Sequence, residues 1–423
     1  MQAAGLQCVR CAAAYPLAHH NLDCPACRGA LRANLTVIYG DGLSGARPRP
    51  APSSAGSMWR FADALPVARS EAVTMGEGGT PLTSLPRAAA EIGVAALYAK
   101  DESRNPTWSF KDRLASAAIS SAKAMGAKVI ASSSSGNAGA AAAAYAARAG
   151  LPCIVFTFQG TAGPMVTQMR AYGAMVIATR DKAHRWTLLE EGVREYGWFP
   201  TSPFFGPAAG SNPFGIEGYK TLAYEIAEQL DWQVPDWCVL PVCYGDALVG
   251  MWKGFLEMRA WGWIDRLPRL VAAEIYGSFG KALSDNLEAP PAMPRTHDTV
   301  AVSIGAAQGT FQALDVLRRS GGCAVSVANA DLMRWQSALA AKEGLYGEPS
   351  ALAPLAAVEQ LRRTGVISAG DRVVTLFTAA GLKDPEVTAR SLPELPVVDG
   401  QFATTLDVLT ERFGFDAAAM KAH

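Results

Sequence analysis

Short apolar runs rich in β-branched residues alternate along this chain with segments whose apolar residues recur at helical spacing. This alternation, with strands that are apolar along their whole length, predicts an α/β fold of parallel sheets covered by helices on both faces. Ligands bind to such sheets at the carboxyl ends of the strands. The predicted strands are 127–131, 153–158, 174–178, 237–242, 270–274, 299–303 and 373–377, and the predicted helices are 137–149, 166–172, 185–196 and 248–261.

The first forty residues differ from the rest because they contain two Cys-x-x-Cys pairs, formed by Cys8, Cys11, Cys24 and Cys27. Four thiolates at this spacing can bind one tetrahedral Zn²⁺ in a closed, structural site. Residues 1–40 are therefore predicted to form a zinc-ribbon-like segment, with reduced cysteines that bind no metal as the alternative. Residues 41–57 are rich in Pro, Gly and Ser and are predicted to be a linker, which leaves 58–423 as the main region.

Composition and charge narrow the class of protein further. Half of the 423 residues are hydrophobic, 18% are charged and the formal net charge is zero. These values are typical of a compact enzyme, and they give no basic surface for nucleic acid. No run of about 18 uncharged apolar residues is present, and the first residues lack the pattern of a signal peptide. We therefore expect a cytoplasmic protein with neither a nucleic-acid nor a membrane partner.

The segment 105–113 contains a lysine in an unusual predicted position. Its Asn-Pro pair predicts a turn, and a helix is predicted to begin near Ser109 or Phe110. Lys111 would then lie at a helix start, where the macrodipole is already positive, so local stability does not explain a cation there. An amine that must lose its proton to attack a carbonyl suits this place, while an ordinary surface lysine is the alternative.

Three predicted strand-to-helix loops could bind a cofactor. Residues 132–139 combine four serines with glycine and with Asn137, whose amide could bond to a phenolic oxygen. Residues 242–250 have the position of a phosphate-binding loop, although Asp246 is an unusual neighbour for a dianion. Thr378 follows the last predicted strand and could present its hydroxyl to a ring nitrogen. A reactive lysine together with these loops matches what pyridoxal 5′-phosphate (PLP) requires.

The sequence resembles threonine synthase and its relatives in the fold-type II family of PLP-dependent enzymes. The likeness extends over residues 58–390. It implies that residues 58–423 form the PLP-binding catalytic region. It implies two three-layer domains with parallel sheets, a smaller mobile subdomain at roughly 128–218, and a homodimer. The matching segments are 76–82, 100–102, 105–113, 134–137, 212–221, 253–255, 343–350 and 381–385.

The resemblance also implies roles for individual residues. Lys111 would be the Schiff-base lysine and would later move the proton of the substrate's α-carbon. A neutral hydroxyl beside the pyridine nitrogen would favour elimination or replacement over transamination. The residues expected to bind the cofactor are Lys111, Asn137, Cys243, Tyr244, Gly245, Asp246, Ala247 and Thr378, and those expected to bind the substrate are Thr107, Ser135, Gly136 and Ala138.

Three positions differ from the family's pattern. The phosphate loop of relatives usually reads Gly-Asn-Gly-Gly-Asn, whereas residues 243–247 read Cys-Tyr-Gly-Asp-Ala. A lysine and an arginine that relatives use near the substrate phosphate are replaced here by Met165 and Gly215. Loss of two cations weakens the expectation of a phosphorylated substrate, because phosphate recognition depends on Lys and Arg.

The sequence therefore supports a threonine synthase-like PLP lyase that catalyses elimination, with or without addition of water or another nucleophile. In the strict version the substrate is O-phosphohomoserine and the product is threonine. The first alternative is a β-eliminating or β-replacing enzyme, such as a serine or threonine dehydratase, a diaminopropionate ammonia-lyase or a cysteate synthase. An alternative of another class is a non-catalytic protein that binds PLP or interacts through its zinc ribbon.

Overall fold

Two largely parallel sheets and one small antiparallel sheet make up the fold. The computed structural model describes residues 2–17, 22–28, 31–40, 45–50, 56–161, 163–416 and 419, so much of the predicted linker 41–57 lies outside the described residues. The strands are β1 Ala3–Cys8, β2 Ala14–Tyr15, β3 Leu35–Tyr39, β4 Leu82–Ser84, β5 Ala96–Asp101, β6 Ile130–Ser133, β7 Cys153–Phe158, β8 Met175–Thr179, β9 Phe199–Pro200, β10 Trp237–Pro241, β11 Arg269–Glu274, β12 Cys323–Ser326 and β13 Arg372–Phe377.

Helices follow most of these strands. The α-helices are α1 Pro86–Ile92, α2 Lys111–Ala124, α3 Asn137–Ala149, α4 Pro164–Ala171, α5 His184–Tyr196, α6 Pro213–Gly218, α7 Lys220–Gln229, α8 Asp246–Ala260, α9 Ser278–Ser284, α10 Phe311–Arg319, α11 Asn329–Glu343, α12 Ala353–Arg363, α13 Pro385–Ala389 and α14 Phe402–Phe413. Short 3₁₀ helices cover Pro25–Cys27, Met58–Ala64, Arg69–Glu71, Glu102–Arg104, Val302–Ile304, Pro349–Leu352 and Gly381–Lys383.

The larger sheet has the strand order β12-β11-β10-β13-β5-β4 and is parallel except for β4, which pairs antiparallel to β5. Strand β10 lies near the centre of this sheet, and all five of its residues are buried, as expected for a strand covered on both faces. The second sheet, β8-β7-β6-β9, is parallel throughout. The α/β class predicted from the sequence is therefore confirmed, and in each of these two sheets the loops after the parallel strands lie at one edge.

One predicted strand is wrong. Residues 299–303 form no strand, and Val302–Ile304 is a 3₁₀ helix. Val302 is 62% exposed, and the Val300 N–H donates to the side chain of Asn329 rather than to a neighbouring strand. The edge strand after β11 is instead β12, which begins at Cys323 and whose few residues are half-buried to exposed, so the apolar pattern does not reveal it.

The N-terminal segment forms its own three-stranded antiparallel sheet, in the order β2-β1-β3. It is packed into the main region through charged groups. The Tyr39 hydroxyl donates to Glu217 Oε2 at 2.7 Å, and Lys253 Nζ donates to the Val37 carbonyl at 2.8 Å while pairing with Glu217 at 2.6 Å. Lys220 also pairs with Glu217 at 2.8 Å. This small sheet therefore shares one largely buried ion network with α6, α7 and α8.

Residues Met1–Pro385 form one compact unit, which contains all three sheets, and residues Glu386–His423 form another. Within the second unit, α14 is a twelve-residue helix with no buried residue. Among the described helices of both units, none combines the length and the apolar character needed to cross a membrane.

A fully buried arginine fixes the helix that begins with Lys111. Arg113 Nε donates to Glu102 Oε2 at 2.7 Å and its Nη1 donates to Glu225 Oε1 at 2.7 Å. Lys100 pairs with the other oxygen of Glu225, also at 2.7 Å. Because these groups are almost entirely removed from water, each depends on its partners for compensation of its charge. The network joins α2 to α7 and to the end of β5.

We expect Arg113→Gln to lower the free energy of unfolding by about 3–5 kcal/mol, because Glu102 would be left buried without its cation. Urea denaturation followed by tryptophan fluorescence measures this change. Arg319→Gln is the matched control, since Arg319 is 54% exposed and pairs with Asp315, which is 41% exposed, at the surface. Equal stability of the two variants would show that the buried network is not what stabilises α2.

Candidate active site

The loop before Lys111 is bound to the loop that follows β13. The Phe110 N–H donates to the Thr378 carbonyl at 2.9 Å, and the Ala380 N–H donates to the Trp108 carbonyl at 3.1 Å. Ser109 and Ala379 form an antiparallel bridge. Lys111 is the first residue of α2, within one or two residues of the predicted start. The structure therefore brings Lys111 and Thr378 together, although 267 positions separate them in the sequence.

The amine of Lys111 is surrounded by rings rather than by carboxylates. Its Nζ donates to the Tyr219 hydroxyl at 3.3 Å and lies 4.2 Å from the centre of the Phe110 ring. No ion pair involving Lys111 occurs among the described residues. Desolvation lowers the pKa of Lys111, although Asp246 and Cys243 act in the opposite direction. The amine is therefore easier to deprotonate than that of an exposed lysine.

Residues 134–136 form the turn between β6 and α3, within the loop that the sequence predicts. Ser134 Oγ accepts the N–H groups of Gly136 at 3.2 Å and of Gly139 at 3.0 Å, which fixes the turn. Asn137 is the first residue of α3, and Gly136 and Ala138 lie on either side of it. The first N–H groups of a helix have no acceptor within the helix. An anion placed against this turn would meet them at the positive end of the helix dipole.

Asn137 has one amide atom bound and one without a partner. Its Nδ2 donates to Glu348 Oε2 at 2.9 Å, while its buried Oδ1 has no partner among the described residues. The buried hydroxyls of Ser109, Ser132 and Ser133 are also unpartnered. Buried polar groups are rarely left without a hydrogen bond. Their concentration around Asn137 and the loop before Lys111 is an observation that fits a polar ligand.

Residues 243–247 comprise the end of the turn between β10 and α8 and the first two residues of α8. Gly245 has a φ of 96°, and a Cβ there would lie 2.2 Å from the Cβ of Ala313, so this position requires glycine. The carboxylate of Asp246 accepts the N–H of Ser211 at 3.1 Å and its hydroxyl at 2.6 Å. Asp246 is therefore engaged with the loop before α6. The backbone of the turn still presents the N-terminus of the 15-residue helix α8.

Thr378 and Thr107 have different surroundings. Thr378 is 2% exposed, and its hydroxyl forms no hydrogen bond within the described part of the chain. The Thr107 hydroxyl donates to Asp112 Oδ1 at 2.5 Å, and its N–H donates to Asp112 Oδ2 at 2.7 Å. The Thr107 side chain is thus bonded to the first turn of α2. Burial raises the pKa of Asp112 to about 7 despite these bonds.

The structure adds residues to this site that the sequence reasoning does not assign. Glu348 lies in a segment quoted for the family likeness, yet only the fold shows that it contacts Asn137. Desolvation raises the pKa of Glu348, so this carboxyl is held more readily in its neutral form. Lys383 donates to the Thr107 carbonyl at 3.0 Å and to Gln168, and burial lowers its pKa to about 8. Contacts over such sequence distances leave no pattern in the chain.

Residues 73–379 match the model of a protein family described as pyridoxal-phosphate dependent enzyme. The chain belongs to this family. It is 35% identical to the threonine synthase of Methanosarcina acetivorans over 399 residues, which cover 93% of this chain and 96% of the relative. It is 34% identical to the threonine synthase of Methanocaldococcus jannaschii over 345 residues, 80% of this chain and 83% of the relative. The predicted threonine synthase-like, PLP-dependent lyase class is thereby confirmed.

Solved structures of other proteins share the fold. The processed threonine deaminase isoform 2 of Solanum lycopersicum superposes with a TM-score of 0.62 at 18% identity, over 74% of this chain and 82% of that chain. At this identity the likeness establishes the fold and no more. The predicted fold-type II architecture is confirmed in this way.

The two positions outside the loop 243–247 that differ from the family's pattern, Met165 and Gly215, have different surroundings. Met165 is close to the turn before α3, because a Cβ on Gly136 would lie 3.7 Å from its sulfur. Gly215 lies where α6 crosses α2, and a Cβ there would lie 2.8 Å from Cγ of Leu114. The side chain at position 165 is therefore apolar where it meets the predicted substrate turn, and position 215 has no room for a side chain.

Trp108 has a φ of 65° and is 49% exposed, which is a strained backbone for a bulky residue. We expect Trp108→Gly to be more stable than Trp108→Ala by about 1 kcal/mol, because only glycine adopts this φ without strain. Thermal unfolding of both variants measures the difference. The comparison removes the ring in both proteins, so it isolates the backbone. A more stable alanine variant, the usual order elsewhere, would show that no strain is present.

Proposed function

We propose that this family member is a threonine synthase, which eliminates phosphate from O-phosphohomoserine and adds water to form threonine. The observation that supports this most strongly is the likeness to threonine synthases along nearly the whole chain, with 35% identity over 93% of it. The geometry around Lys111 supports a lyase because it combines a desolvated amine with an anion-binding turn and a buried neutral hydroxyl.

The residues present fit PLP. Lys111 would hold the cofactor's aldehyde carbon covalently, and the N-terminus of α8, after Gly245, would bind its phosphate through backbone N–H groups. Asn137 would donate to the 3′-oxygen through its Nδ2, which has a second hydrogen besides the one bonded to Glu348, and the buried Thr378 hydroxyl would face the pyridine nitrogen. When bound, PLP withdraws electrons from the substrate's α-carbon. Within the loop 243–247, the carboxylate of Asp246 would remain engaged with Ser211 rather than with the phosphate.

Lys111 would also move protons on the substrate. Its amine forms no ion pair among the described residues and has a lowered pKa. It would therefore accept the α-proton and return it later in the reaction. The Tyr219 hydroxyl, 3.3 Å away, would keep the free amine oriented. The partner of the ring nitrogen would be the neutral hydroxyl of Thr378 rather than a carboxylate, so the nitrogen would stay unprotonated and favour elimination.

The substrate's α-carboxylate would bind at the turn before α3, where Ser135, Gly136 and Ala138 present backbone and hydroxyl groups at the positive end of the helix. Thr107 would take part mainly through its position, because its hydroxyl already donates to Asp112. In this arrangement Met165 would cover the carboxylate turn with an apolar side chain. We also propose that residues 128–218, roughly, move as a smaller subdomain. This range contains all four strands of the β6–β9 sheet.

A second candidate is a β-eliminating or β-replacing enzyme. Met165 at the substrate turn favours it, because this position offers no charge to a phosphorylated side chain. Steady-state assays that compare O-phosphohomoserine with L-serine, L-threonine and L-2,3-diaminopropionate separate the candidates. Release of phosphate with formation of threonine supports the first, whereas ammonia release from a β-substituted amino acid alone would reject it.

Lys111→Ala should abolish turnover and the visible absorbance of covalently bound PLP, because no other amine is proposed to hold the aldehyde. Absorbance spectra of the purified protein, together with threonine formation, measure both effects. Lys123→Ala, at the other end of α2, is the control and should retain both. An alanine variant at position 111 with undiminished absorbance would refute the assignment of the lysine.

We also propose that the four N-terminal cysteines bind one structural Zn²⁺. Their ligand atoms all lie within 4.8 Å of one another, and the sulfur pairs Cys8–Cys27 and Cys11–Cys24 are 3.8 Å and 3.6 Å apart. A tetrahedron with Zn–S bonds of about 2.3 Å has edges of about 3.8 Å. The N–H groups of Arg10 and Cys11 both lie 3.4 Å from the Cys8 sulfur, as donors that would stabilise a thiolate.

A homodimer and a cytoplasmic location complete the proposal, and both rest on the family resemblance and on the composition. Light scattering of the purified full chain tests the first, and fractionation of cells that express it tests the second. A monomer at micromolar concentration would reject the dimer.

Purified protein should contain about one zinc per chain, and Cys24→Ser should lose most of it, because three thiolates bind zinc far more weakly than four. Metal analysis by mass spectrometry gives the stoichiometry. Cys153→Ser is the control, since Cys153 is a buried cysteine of β7 outside the cluster. Full-length wild-type protein that is folded and free of zinc would contradict the proposal.

A further inference from the structure

Two cations lie together at the edge of the β6–β9 sheet where the substrate turn begins. Lys182 Nζ is 5.2 Å from the centre of the Phe158 ring, and Cζ of Arg185 is 5.3 Å from the same centre. Arg185 Nε also donates to the Lys182 carbonyl at 3.0 Å. Phe158 is the last residue of β7, and both cations follow the end of β8. The two side chains therefore share one aromatic ring at the carboxyl edge of the sheet.

This edge is continuous with the turn proposed to bind the substrate's carboxylate. The Ser134 N–H donates to the Phe156 carbonyl at 3.0 Å, and Phe156 is two residues before Phe158. Two residues along a strand span roughly 7 Å, so the ring between the cations lies a short distance from Ser134. An amino acid bound at the turn could direct the end of its side chain toward these cations.

Arg185 lacks an acidic partner although it is 92% buried, since only 8% of its surface is exposed. Neither it nor Lys182 forms an ion pair within the described residues. Asp181, on the same turn, uses Oδ1 to accept the Ala183 N–H at 2.8 Å. Arg185 is also the second residue of α5, where the helix dipole is already positive. A buried, unpaired guanidinium at such a place is unfavourable unless an anion binds it.

Charges from the rest of the chain do not neutralise the pair. Desolvation lowers the pKa of Lys182, and the positive charges of Arg295 and Arg185 lower it further. Desolvation also lowers the pKa of Arg185. Cys243 acts in the opposite direction on Lys182, and Tyr244 does so on Arg185, so the pair also faces the loop 243–247.

We propose that Lys182 and Arg185 form an anion subsite that binds the phosphate at the end of the substrate's side chain. The proposal rests on the proposed function, and it supplies the positive charge that Met165 and Gly215 do not. The guanidinium would donate to phosphate oxygens through its Nη groups, while Lys182 would contribute a mobile charge at the exposed rim.

The test compares Lys182→Gln and Arg185→Gln with the control Arg194→Gln, which changes an exposed arginine further along α5. We expect the first two to raise KM for O-phosphohomoserine on the order of 10- to 100-fold, with a smaller change in kcat. The KM for the uncharged ester O-acetylhomoserine should stay unchanged in each variant. Calorimetry with a phosphonate analogue, in which a methylene replaces the ester oxygen, should show the same loss of affinity.

Three measurements distinguish this role from others. Lower PLP content or PLP affinity in the variants, with an unchanged substrate KM, would mean that the cations bind the cofactor's phosphate, and it would overturn the proposal. A large drop in melting temperature of Arg185→Gln would indicate a structural role, whereas we expect it unchanged or raised because the unpaired charge is removed. Lys182 is exposed, so its variant tests the subsite even where Arg185→Gln does not fold.

Failure of the proposed function gives a different result. A wild-type enzyme that ignores O-phosphohomoserine is not a threonine synthase, and its subsite is then judged with O-phospho-L-serine and L-cysteate against L-serine. A preference for the anionic compounds that Arg185→Gln removes supports the subsite for phosphate or sulfonate. Equal binding of anionic and neutral amino acids overturns it.

Discussion

The fold around Lys111 depends on the burial of Arg113. This residue lies two positions after Lys111, so its side chain enters the core where the lysine must remain accessible. Its bonds to Glu102 and Glu225 hold the first turn of α2 against the end of β5 and against α7. Ion pairs of this kind contribute little net stability compared with an apolar core, but they tolerate few alternative arrangements. The precision with which the amine of Lys111 is placed is a consequence of this restriction.

The site combines groups from distant parts of the chain whose electrostatic states differ. Lys111 has a lowered pKa because it is desolvated, and Glu348 has a raised pKa for the same reason. Both groups are therefore shifted toward their neutral forms. A neutral amine can accept a proton, and a neutral carboxyl still accepts the hydrogen bond that Asn137 Nδ2 donates to Glu348. Burial alone, without a dedicated charge partner, produces both properties.

Much of this arrangement can be predicted from the chain, and the rest has physical reasons for being hidden. Lys111, Asn137 and Thr378 follow strands or turns that local patterns reveal, and parallel strands gather such positions at one edge. Glu348 precedes a short 3₁₀ helix without apolar periodicity, so only tertiary contact identifies it. Arg185 resembles a surface residue of an amphipathic helix, and its burial depends on neighbours that the sequence does not specify.

The close crossing of α6 on α2 limits how this enzyme could have changed its substrate. At Gly215 even a single added carbon meets Leu114, and at Gly218 it would lie 2.1 Å from the Arg113 carbonyl oxygen. A lysine or arginine at position 215 would push α6 away from α2. A single substitution there would therefore disrupt the core. Substitutions after the ends of β7 and β8 can be tolerated, because the residues that follow these strands lie at the surface. New specificity in this scaffold is therefore most accessible at the sheet edge, where mutation does not disturb the core.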